Sequence, residues 1–338
     1  MKSRIVPCAF VSGLMVTLSS LPGLGMDGLD EASTVAVADP KDNGGESPKQ
    51  EYVRIQRNDR RLASTLQTSV IRFANSSQFP GKVVDLLGAI HLGEESYYVE
   101  LNRRFASYDV LLYESVIPEE ALKQGLRPGG PGAGRKLNDE EAWSESKVGL
   151  ATISALQLGM KDVLGLQFQL AGIDYTAANF VHADMTQEEM EDSMAQRGES
   201  FSEMLAREMA KAALQSGKTN PIAQQLDLLL SVLTSNRKYR IRRIAAMEMI
   251  KANDGDVFVR ADGTSTIITE RNVKALDVLR RELGNHENNR LGLFYGAGHF
   301  RDMEERMIDE LGFERVGEEW ITAWQLRAPR KTQTTDTE

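Results

Sequence analysis

Cysteine is almost absent: the chain of 338 residues holds one, Cys8. A cysteine-rich zinc module, a disulfide scaffold and a cysteine nucleophile in the body of the chain are thereby excluded. Histidine is scarce too, so any imidazole chemistry must come from His91, His182, His286 or His299. There is no surplus of positive charge either. The formal net charge is −9, against the basic balance of a nucleic-acid binder, and no nucleic-acid partner is expected. No apolar run long enough to span a bilayer occurs between residues 51 and 328. Leu226–Leu233 comes nearest and is broken by Asp227 and Ser231. What remains, 41% hydrophobic and 26% charged, is the composition of a globular chain.

The two ends read differently from the middle. Lys2 and Arg4 precede a mostly apolar stretch, Ile5 to Leu18, and no acidic residue comes before Asp27. That is the layout of an export signal over residues 1–25, with an uncleaved membrane anchor as the alternative. Its removal takes away two positive charges and no negative ones, so −9 becomes −11, and it removes Cys8 as well. The mature protein is then periplasmic or secreted, with no transmembrane helix and no thiol for an oxidising compartment to act on. Residues 26–50, rich in Asp, Glu, Gly and Ser, read as a disordered linker, and 329–338 as a polar tail.

Between them, 51–328 reads as one α/β domain, with α+β as the variant: a central mixed sheet flanked by helices. Apolar runs predict strands near Thr68–Phe73, Lys82–Ile90, Asp109–Glu114, Leu291–Tyr295 and Trp320–Leu326. A helical insertion of about 140–260 separates the two groups. Within it, Thr186-Gln-Glu-Glu189 has the form of a capping box and opens a helix expected to reach about Ser216. Asn220-Pro221 opens another, to about Lys251. Met190, Met194, Met204, Met209, Met247 and Met249 are expected to fill buried faces. The basic cluster Arg237, Lys238, Arg240, Arg242, Arg243 is expected to be a solvated helix face. The glycine-proline loop Arg127–Arg135 lacks the G-K-[ST] ending of a phosphate cradle and reads as a flexible excursion.

The most informative pattern is an internal echo. Val84-Asp-Leu-Leu-Gly88-Ala-Ile-His91 and Leu293-Phe-Tyr-Gly296-Ala-Gly-His299 both run an apolar strand into Gly-Ala-x-His, followed by a helical pattern and another strand. Two of four histidines sharing both Gly and Ala at these offsets by chance is an event of roughly one in a thousand. Ligands of α/β sheets bind beyond the carboxyl ends of strands. Gly88, Gly296 and Gly298 are expected to give the tight turn and close backbone approach such a site needs. Glu114 closes the apolar run Asp109–Tyr113, where a carboxylate is costly unless it is paired, metal-bound or at the mouth of the sheet. Two histidines and a carboxylate suit either a catalytic metal site or metal-free acid–base chemistry.

These residues resemble the TraB/PrgY/GumN superfamily, and Phe294-Tyr-Gly-Ala-Gly-His-Phe300 is closest to the pattern of its TIKI members. Glu270-Arg271-Asn272 matches the family's Arg-Asn element ahead of the second Gly-x-x-His. The likeness covers roughly 80–116 and 267–326 and does not reach the helical middle. It implies an α/β fold akin to erythromycin esterase and ChaN-like proteins, and an exported hydrolase of a peptide or another acyl bond. His91, His299 and Glu114 would hold a divalent metal or activate water, with a peptide or small molecule as substrate. Arg271 would stabilise an oxyanion or orient Glu114. His182 and Asp184, in Asn179-Phe-Val-His-Ala-Asp184, are candidates for an extra ligand or a substrate contact, and His286 sits in an evident turn. Membrane-embedded relatives carry C-terminal spans that this sequence lacks, and erythromycin esterases are thought to work without metal. The competing class is a non-catalytic module that binds metal, haem or a small ligand in the same pocket.

Overall fold

The computed structural model describes residues 50–128, 163–200, 237–254 and 265–328. The export signal, nearly all of the linker, the loop beyond Pro128, the start of the helix at Asn220, Met204, Met209 and the tail lie outside them.

Seven strands form one mixed sheet: β1 (Val53–Arg57), β2 (Ala63–Ala74), β3 (Val83–Ala89), β4 (Val110–Tyr113), β5 (Phe180–His182), β6 (Arg290–Gly296) and β7 (Glu314–Gln325). Parallel and antiparallel pairs coexist and helices flank the sheet, so the fold is α/β. β2 pairs with β7 along one edge; β1 and then β3 share its other edge. Beyond β3 follow β6, β4 and β5, all parallel to it. These central strands carry continuous apolar runs because both faces are covered: Val110–Tyr113 is buried at every position. β7 alternates instead, as an outer strand with one wet face does.

The two copies of the echo become two crossovers. β3 leads through α1 (Glu95–Phe105) to β4, passing over β6; β6 leads through α6 (Phe300–Asp309) to β7, passing over β3 and β2. α1 buries Tyr97, Tyr98, Leu101 and Phe105, and α6 buries Phe300, Met303 and Met307, each an apolar stripe at helical spacing. Since β3 and β6 are neighbours and their connections leave in opposite directions, the carboxyl ends of these two strands form a topological switch point, where such sheets open a crevice.

The section between the two groups of strands is less purely helical than expected. It supplies β5 to the main sheet, and Gln167–Phe168 pairs with Leu92–Gly93 just past β3. The short α2 (Glu119–Lys123) follows β4. The capping box at Thr186 is present, with both reciprocal hydrogen bonds. Its helix, α3 (Gln187–Arg197), stops far short of Ser216 because Gly198 takes a left-handed conformation and closes it. Met190 and Met249 are buried, but Met247 is exposed. α4 (Arg237–Asp254) carries the basic cluster, and there the solvated-face expectation fails at Arg242. That side chain is buried, and its guanidinium donates to the carbonyls of Leu164, Gly165 and Gln325 and pairs with Glu94. A fork with five donors can satisfy several inward-facing carbonyls at once, which a solvated lysine cannot.

Candidate functional site

The carboxyl ends of four neighbouring parallel strands bring the sequence candidates to one edge. His91 lies two residues past β3, and His299 closes a 3-10 turn, Ala297–His299, directly after β6. Glu114 is the first residue past β4; His182 ends β5, with Asp184 two residues on. Across the sheet the order is therefore His91, His299, Glu114, then His182 and Asp184.

Arg271 enters this row from above. It opens α5 (Arg271–Leu283), preceded by a π-helical turn, Thr266–Glu270, and its side chain is fully enclosed. It grips Asp184 through two bonds, Nε to Oδ1 at 2.9 Å and Nη2 to Oδ2 at 2.6 Å, and reaches Glu114 Oε1 at 2.6 Å. Burial works against the guanidinium's charge, but Asp184 and then Glu114 more than offset this and raise its pKa. Glu114 Oε2 accepts the Gly296 N–H at 2.6 Å. The carboxylate is thus fixed at both oxygens, by a charged fork and by the backbone of the second motif. Tyr295 buttresses the group by donating to the Ala183 carbonyl, and burial, reinforced by Asp184, pushes its phenol well above the ordinary range.

His299 has a tautomer that the network fixes. Asn272 spends its amide hydrogens on the His299 carbonyl, at 3.1 Å, and on Asp302 Oδ2, at 2.8 Å. Its Oδ1 is therefore the acceptor for His299 Nδ1 at 2.6 Å, which places the proton on Nδ1. Nε2 then offers its lone pair, 3.7 Å from Glu114 Oε1. Burial pushes this imidazole down to about 4, against the pull of the Glu114 carboxylate, so it is neutral at physiological pH.

The other candidates take different positions. His91 is buried, and its carbonyl accepts the backbone N–H of Gln169. His182 lies in a strand rather than a loop, with Nε2 2.6 Å from the Ser115 carbonyl, and burial lowers its pKa. His286 is exposed, as its turn implied. None of Gly88, Gly296 and Gly298 has positive φ, and Gly88 and Gly296 are strand residues. A Cβ on Gly88 would lie 3.2 Å from both Thr68 Cβ and the Ser69 carbonyl, so its smallness lets β3 pack on β2; one on Gly298 meets open space.

The metal reading can be tested on the donors. A neutral imidazole whose Nδ1–H is held by an amide oxygen behind it is the form a metal ligand takes. His299 Nε2 and Glu114 Oε1 are also close enough to share one ion. The set stops there: among the described residues no group of three or more His, Cys, Asp or Glu is placed to hold a metal. Glu114, moreover, already faces the positive charge of Arg271. The arrangement therefore does not fit a three-ligand metal site.

Asn272, Tyr295 and Asp302 escaped the reading of the sequence as site residues. Asn272 had a signal, its place beside Arg271 in the Arg-Asn element; the other two had none. No helix among the described residues is long and apolar enough to cross a membrane. Comparison with protein-family models, curated proteins and solved structures finds no match.

Proposed function

We propose that this protein is an exported hydrolase of the TraB/GumN type that activates water without a tightly held metal and cleaves a peptide or other acyl bond. The observation that carries the reading is the pair at the switch point: a neutral, tautomer-fixed His299 Nε2 facing a Glu114 carboxylate whose orientation Arg271 and the Gly296 N–H determine. In this reading a water at the mouth of β3 and β6 donates to His299 Nε2. That nitrogen takes the proton as the water attacks the acyl carbon, and later returns it to the leaving group. Glu114 holds negative charge next to the imidazole that becomes charged. Arg271, fully enclosed behind Glu114, is a positioning residue rather than an oxyanion donor. Because His91, Glu114 and His299 are all buried, turnover requires an opening step that admits substrate.

A second reading keeps the divalent ion, and the bond from His299 Nδ1 to Asn272 Oδ1 favours it. The two are separated by assaying nitrophenyl esters and fluorogenic peptides with wild type, H299A and E114Q, each with and without a chelator. Hydrolysis that survives chelation and falls about 100-fold in both variants supports the first reading. Chelator-sensitive hydrolysis restored by one divalent ion supports the second. Activity equal in wild type and both variants removes the site, and no activity alongside bound metal or haem favours the non-catalytic class.

A further inference from the structure

Beside the Asp184 end of the buried ion group, a cavity of about 440 Å³ lies against the outer strand β5, α2 and α5. That volume suits a small molecule or one or two amino-acid residues. Much of its wall is apolar: Leu122, Leu126, Phe180 and Val278. Its charged lining is uneven. Arg127, Lys274 and Arg281 face two carboxylates, Asp184 and Glu189. Both carboxylates are already engaged, Asp184 by Arg271 and Glu189 by Lys274 and the Thr186 N–H. Arg127 is half-buried, gives one N–H to the Phe180 carbonyl at 2.6 Å, and has no carboxylate partner among the described residues. Among the described residues, Arg281 pairs only with the neighbouring Glu282, at 3.4 Å. Two guanidinium groups thus contribute positive charge to an apolar pocket, in a chain whose net charge is −9.

We propose that this cavity binds a ligand with an apolar body and an anionic head, the head held by Arg127 and Arg281. A guanidinium fork grips a carboxylate or a phosphate oxygen pair bidentately, and the apolar wall covers a short aliphatic chain. Recognition of this kind goes beyond the hydrolytic reading, since it exists with or without turnover. It also defines which end of a substrate would lie toward β5.

Calorimetric titration of the full-length protein with N-acetyl-leucine, N-acetyl-leucinamide and hexyl phosphate tests this. The acid is expected to bind about tenfold tighter than the amide, with affinity that falls as salt rises. Tighter binding of hexyl phosphate than of the acid would assign the head as phosphate. R127Q and R281Q are each expected to reduce the preference for the anion, and V278W, which fills the cavity, to weaken all three ligands. The exposed Arg281 keeps the test meaningful if R127Q folds poorly. Equal affinity for acid and amide, no binding of either anion, or an anion preference unchanged in both arginine variants would overturn the proposal. H299A should retain the preference, so loss of hydrolysis in that variant and failure of this pocket are separate outcomes.

Discussion

Replacing Arg271 by methionine tests the electrostatic core of the site directly. The native side chain is fully enclosed and is bonded to two buried carboxylates: Asp184 through a bidentate pair, and Glu114 at 2.6 Å. Methionine has a similar length and no charge, so it removes the cation while leaving most of the volume filled. At an effective dielectric constant of about 20, each contact carries roughly 4 kcal/mol of Coulomb attraction, much of it spent on desolvating the three groups. What decides the outcome is the state left behind, two buried negative charges without their counter-ion. Breaking a buried pair from one side costs about 3–5 kcal/mol, and losing a cation shared by two carboxylates should fall at the upper end. Urea unfolding at pH 7 should therefore show a stability lowered by that amount, read as a midpoint shifted down by the same free energy divided by an unchanged slope. Adding D184N and E114Q to R271M should recover most of the loss, since a neutral trio leaves no uncompensated charge. A cost below about 1 kcal/mol for R271M, or a triple variant no more stable than the single one, would refute the reasoning.

Two further outcomes follow from the same network and from its scaffold. Burial lowers the His299 pKa from 6.5 to about 4, so the folded state binds its proton less readily than the unfolded state. The stability it contributes is fully present above pH 6.5 and is lost as pH falls from 6.5 toward 4, about 3 kcal/mol in all. Unfolding curves of wild type and H299N across that window should converge at low pH, and parallel curves would contradict the burial argument. Arg242→Ala should cost about 3 kcal/mol by leaving three inward-facing carbonyls and Glu94 without their shared donor, and thermal unfolding with a wild-type-like midpoint would show that the guanidinium is not an anchor.

Much of the sheet could be read from the pattern of apolar residues. Parallel strands covered on both faces must be continuously apolar, which is why Val110–Tyr113 and Leu291–Tyr295 stood out. β5 did not: three residues, Phe180 to His182, are too few to carry a period, and the pairing with β4 is made by the fold. Glu114 was legible because a carboxylate at the end of an apolar strand needs a partner, but the partner's identity was not. Arg271 stands 157 residues away along the chain, and Asp184, which lies between the two, is 87 residues before Arg271. Arg242 misled because a basic cluster on a helix looks the same whether one of its members faces water or a row of carbonyls.

Along the chain, two Gly-Ala-x-His turns end two apolar strands and Glu114 closes a third. These are local properties, set by residue type and period. Long-range packing makes the two strands parallel neighbours whose crossovers diverge. It alone brought Asp184 and Arg271 to Glu114, and let Asn272 choose the tautomer of His299. Those outcomes depend on contacts between residues far apart in the chain, where burial strengthens every charge and makes each unmatched polar group costly.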